Sequence, residues 1–176
     1  MFLFIIATVF SCNNGLTLQT YYVDNELKPG FTSLDIPTSF LKIEQTSLTE
    51  EQKEAYKSVD KLNMLAFIVS ENNKDEYEVE LAKVKTIFKD PKYDELMRGG
   101  NTTDGKFVVK IVGDSDRLDE LILFGNANDK GFAIVRILGD DMNANHLVQL
   151  GMSLQNADIS SSVNSSELGG FLDFFK

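Results

Sequence analysis

The sequence predicts an α+β fold: two layers, a mainly antiparallel sheet of about five strands, and helices on one face. Three observations carry this expectation. Met64 to Val69 (MLAFIV) is a fully apolar run bounded by polar residues, as in a strand buried inside a sheet. Three further strand-like stretches follow one another with only Gly-, Asp- and Asn-rich turns between them, which is a meander. Helical apolar spacing recurs in three places around these strands. The order is β-α-β-α-β-β-β-α, and its two strand-helix-strand crossovers are expected to be right-handed.

The elements follow in chain order. Phe31 to Ile36 alternates apolar and polar residues, which suits a strand, and Pro37 stops it. Phe40, Leu41 and Ile43 form a short turn on the core. Ser47-x-x-Glu50 is a capping box, and Leu48, Ala55, Val59 and Leu62 keep helical spacing behind it. Asp75 to Met97 reads as the longest helix, with Tyr77, Leu81, Val84 and Phe88 in one stripe. Pro91 interrupts that helix and Gly99-Gly100 ends it. The meander strands are Lys106–Val112, Leu118–Phe124 and Phe132–Leu138. Asp140 or Asp141 caps a last helix that carries Leu147, Leu150 and Leu154 on one face.

The N-terminus sets an address. Phe2 to Phe10 is apolar, too short to span a bilayer, and ends at Ser11-Cys12, where Cys12 is the only cysteine. A lone cysteine directly after such a run is the pattern of a lipoprotein signal, so residues 1–12 are expected to end at a lipidated Cys12. Residues 13–30, polar and containing Lys28-Pro29-Gly30, read as a tether. Residues 31–155 form a single domain. Residues 156–176 read as a flexible Ser/Asn-rich tail with an aromatic end, in which Phe171, Phe174 and Phe175 are candidate partner-binding residues.

Composition narrows the function. The formal net charge is -10, and an acidic surface repels phosphate backbones, so no nucleic acid partner is expected. Without a second cysteine there is no disulfide, and stability must come from packing. His146 is the only histidine, placed at the edge of a buried helix face rather than as a base. No G-x-S-x-G, P-loop or dinucleotide fingerprint occurs, and one His with no free Cys does not make a zinc site. No catalytic residue and no cofactor are assigned. Asp114, Asp116 and Asp119 in the first hairpin, with Asn126, Asn128 and Asp129 in the second, are the weak alternative: a calcium-dependent binder or an acidic-site hydrolase. Tight turns use these same residues for their own geometry.

The lipoprotein start, the FTSLDIP strand, the EEQKEAYKSVDKLNMLAFI segment, YDELM and the KFVVKIVGDSDRLDELILFG hairpin together resemble one family. It is the domain-of-unknown-function 4252 family, small lipoproteins of Bacteroidota bacteria. The resemblance covers Phe31 to Leu154. It implies an exported, membrane-anchored α+β domain with no established activity, and a link to envelope signalling. The expected protein is therefore a cell-envelope lipoprotein, leaning to non-catalytic, that holds the membrane through its N-terminal lipid and binds an unknown envelope protein. Asn13, Asn14 and Gly15 in place of acidic residues after Cys12 favour the periplasm-facing side of the outer membrane over the cell surface.

Overall fold

The computed structural model describes residues 15–40, 48–101, 105–127 and 129–155. Ten regular elements follow one another: α1 (Leu18–Asn25), β1 (Phe31–Pro37), α2 (Glu50–Ser58), β2 (Val59–Ile68), α3 (Lys74–Ile87), β3 (Asp94–Asn101), β4 (Gly105–Asp114), β5 (Arg117–Ala127), β6 (Gly131–Met142) and α4 (Ala144–Gln155). The strands form one open sheet in the order β1-β2-β6-β5-β4-β3, and every neighbouring pair is antiparallel. The α+β class holds, with six strands in place of about five.

The sheet is covered on both faces, not one. On the first face α1 and α3 pack against Leu65, Phe67, Ile122, Phe124, Phe132 and Ile134. On the second, α2 and α4 pack against Val109, Ile111, Leu118, Leu121 and Met142. Strand alternation explains this. Leu65 and Phe67 point to one side and Met64 and Ala66 to the other, and all four are buried. A strand apolar at both parities needs cover on both sides. Because β1 pairs β2 antiparallel, the first of the two expected crossovers does not arise; β2 and β3, separated by three alternating strands, run parallel, so α3 connects them as a crossover.

The tether expected over residues 13–30 is replaced from Leu18 to Asn25 by α1. Thr17 caps the helix: its Oγ1 accepts from Thr20 N at 3.1 Å, and Thr20 Oγ1 accepts from Thr17 N at 2.9 Å. Leu18, Tyr21 and Tyr22 are buried in the first-face core. Polar bonds fix the helix as well. Tyr21 Oη donates to Glu80 Oε2 at 2.8 Å, Tyr22 Oη donates to Asp35 Oδ1 at 3.2 Å, and Leu18 N donates to Tyr93 Oη at 3.1 Å. Burial, reinforced by the facing carboxylates, pushes both the Tyr21 and Tyr22 phenols far above their ordinary range.

The long helix expected over Asp75–Met97 stops at Ile87. Phe88 closes it, and Pro91 lies in the turn that follows. Asp94 to Asn101 then pairs with β4, so Leu96 and Met97 belong to an edge strand. Here tertiary pairing overrides the helical propensity of Glu95, Leu96, Met97 and Arg98. Gly99 and Gly100, expected as a helix stop, sit inside that strand. Gly100 has φ +95, and a Cβ there would come within 2.3 Å of the Gly105 carbonyl oxygen, so only glycine fits.

Other boundaries move less. The capping box on α2 is Thr49 with Gln52, while Ser47 lies outside the described residues, as do Leu41 and Ile43. Val59 and Leu62 begin β2 instead of continuing the helix. Asp140 and Asp141 remain in β6, and the start of α4 is capped by Asn143, whose Oδ1 accepts from His146 N at 3.1 Å. Asp141 instead pairs with Arg117, at 2.9 Å.

Candidate functional site

The α3 helix covers β5 and β6 on the first face but leaves part of β4 and β3 open. Between helix and strands runs a groove of about 530 Å³. Its apolar surface comes from Leu81 and Phe88 of the α3 region, Val108 of β4 and Phe124 of β5. Phe88 meets Phe124 edge-on, with ring centres 5.4 Å apart, so the floor is aromatic and fixed. Phe107, exposed on β4, also lines the groove and lies over Gly99, where a Cβ would meet its ring at 2.5 Å.

The rim is basic. Lys85, Arg98, Lys106 and Lys110 line it, against the carboxylates Glu78 and Glu95. In a chain of net charge -10 this is a local reversal of sign. The four cations are not equivalent. Arg98 forks onto Glu95, three residues away, and holds that carboxyl below its usual range. Lys110 Nζ donates to the Tyr93 carbonyl at 2.7 Å and lies 5.9 Å from the Phe88 ring centre. Lys85 and Lys106 make no ion pair among the described residues and are exposed. At one end of the groove Tyr77 Oη donates to Asn126 Oδ1 at 2.6 Å, and burial raises the Tyr77 phenol. An apolar floor under unneutralised cations suits an apolar segment that carries negative charge.

A second polar group lies under α1. Register places Asp35, Asn63, Arg136 and Ile122 side by side across four strands. Asn63 Nδ2 donates to Asp35, Arg136 Nε donates to Glu120, and Arg136 Nη1 donates to Gln19 Oε1 at 2.8 Å. Arg136 and Glu120 are 4% and 8% exposed. Among the described residues no buried side-chain polar atom lacks a partner, so this group is closed and serves the fold.

Neither set was singled out from the sequence. The groove cations come from α3, β3 and β4, and no local motif joins them. Arg136 did carry a signal: it is the one charge inside the apolar run Phe132 to Leu138. Of the residues that the sequence did single out, Asp114 ends β4, Asp116 lies in the turn, and Asp119 lies in β5. Asp116 Oδ1 accepts from Asn143 Nδ2 at 3.3 Å. Among the described residues no three His, Cys, Asp or Glu side chains gather as a metal-ligand set. His146 is half-buried on α4. Cys12, Asn128, Phe171, Phe174 and Phe175 lie outside the described residues.

No curated protein and no solved structure matches the chain. A family known as a domain of unknown function, DUF4252, does match. The match covers residues 22–150, from within α1 to within α4, and the chain belongs to that family.

Proposed function

We propose that this chain is a cell-envelope lipoprotein that works by binding a protein partner and not by catalysis, in a role linked to envelope signalling. Lipid on Cys12 anchors it, on the periplasm-facing side of the outer membrane. The apolar run ending at Cys12 supports the anchor, and no helix among the described residues is long and apolar enough to cross a membrane. With Thr17 already capping α1, five residues of reach separate Cys12 from the domain, about 18 Å at full extension. The domain is then held close against its membrane.

One observation carries the binding reading: the groove between α3 and β3–β4, with an aromatic floor and, on its rim, two lysines that make no ion pair among the described residues, in an acidic protein. The full chain, tagged and purified from its own membranes, should bring down a partner in fixed ratio. Lys85→Glu with Lys106→Glu should stay folded and membrane-bound, because both side chains are exposed, yet lose that partner. Retention of the same partner at the same ratio by the charge-reversed chain would remove the groove from the binding surface.

A further inference from the structure

We infer that the groove is occupied by the chain's own segment Leu168 to Phe175, steered there by Glu167 and Asp173. This rests on the groove being the binding surface, and it names the occupant.

The chemistry of the two parts matches. The segment ELGGFLDFF carries Leu168, Phe171, Leu172, Phe174 and Phe175 with two carboxylates, and one cation, Lys176, follows it. The groove offers the Phe88 and Phe124 rings below and Lys85 and Lys106 above. In an extended chain alternate side chains point to opposite sides. Leu172 and Phe174 can then meet the aromatic floor while Asp173 faces the rim lysines.

The reach is sufficient. Fifteen residues, 156–170, separate the end of α4 at Gln155 from Phe171, which spans up to about 50 Å. The α4 helix lies on the second face, so the chain must round the edge at β3. That path crosses a sheet roughly 10 Å thick, and six strands are only about 24 Å wide. A segment tethered this way has an effective concentration on the order of millimolar, so even a modest match keeps the groove filled. A partner must displace the segment, which makes it a built-in competitor.

The test is chymotrypsin cleavage after Phe171, Phe174 and Phe175 in the full chain purified in detergent, followed by mass. Four chains are compared: native, Lys85→Glu/Lys106→Glu, Asp173→Lys, and all three changes together. If the groove shields the segment, the native chain is cut slowly and each charge-broken chain about tenfold faster, because cleavage tracks the open population. The triple change restores opposite charges and should slow cleavage again. Asp173→Lys alters no residue of the described domain, so its effect does not depend on how the groove variant folds. Equal rates in all four chains overturn the proposal. Protection that grows with protein concentration overturns it in favour of a segment donated by a second copy. Should the rates be equal while Lys85→Glu/Lys106→Glu still loses the membrane partner, the segment is the wrong occupant and the groove remains the binding surface.

Discussion

Phe67→Ala should cost the protein about 3–5 kcal/mol, a large share of the roughly 5–15 kcal/mol that holds a typical domain folded. Phe67 is completely buried on β2. Its ring stacks on Phe132 of β6 at 5.9 Å, meets Phe31 of β1 edge-on at 5.0 Å, and lies 6.2 Å from Tyr77 of α3. One side chain thus joins three strands to a helix. Truncation loses the transfer energy of the ring and leaves a cavity whose walls belong to four elements, which cannot all close on it. Urea unfolding of the full chain reads this as a lower midpoint at unchanged slope. Val23→Ala, on the exposed side of α1, should stay within about 0.5 kcal/mol of native. A loss under 1 kcal/mol at Phe67 would contradict its place at the centre of the first-face core.

Arg136→Ala should be as damaging, for an electrostatic reason. Arg136 and Glu120 are both buried on adjacent strands, and Gln19 from α1 completes the guanidinium's bonding. Removing the cation leaves a carboxylate in a desolvated site with its partner gone, which costs about 3–5 kcal/mol. Replacing both residues together, Arg136→Met with Glu120→Leu, removes both desolvation penalties and keeps most of the volume. That double variant should lie much closer to native than Arg136→Ala alone, within about 1–2 kcal/mol. Native, Arg136→Met, Glu120→Leu and the double variant, unfolded in urea, form a cycle that measures the coupling directly. Additive effects, with the double variant worse than either single one, would show that the pair is not coupled as the geometry states.

The parts of the fold that the sequence made legible are those where one signal dominates locally. The MLAFIV run, the three meander strands and the Tyr77, Leu81, Val84 stripe are each set by burial periodicity, and the structure has them all. Where local and long-range preferences disagreed, the reading went astray. DELMR is a good helix sequence, yet pairing with β4 makes it a strand. Leu18, Tyr21 and Tyr22 are too few and too polar in their surroundings to look like a core helix, and the core they enter and their bonds to Glu80, Asp35 and Tyr93 come from elsewhere along the chain. The groove was invisible for the same reason as α1. Arg98, Lys106 and Lys110 look like ordinary surface charges until β3 and β4 bring them to the groove that Lys85 of α3 also lines.

Whether this family member works at a membrane turns on one atom, the sulfur of Cys12. The most direct measurement follows the full chain and Cys12→Ala in cells by fractionation, detergent partition and the intact mass of the mature protein. Lipid on Cys12 predicts that the native chain sediments with membranes, partitions into detergent and has the mass of a chain beginning at Cys12 plus acyl groups. It predicts that Cys12→Ala loses those acyl groups and either leaves the membrane or keeps residues 1–11. A Cys12→Ala chain that stays in the membrane with the same mature mass, corrected for the substitution, would contradict the lipoprotein account.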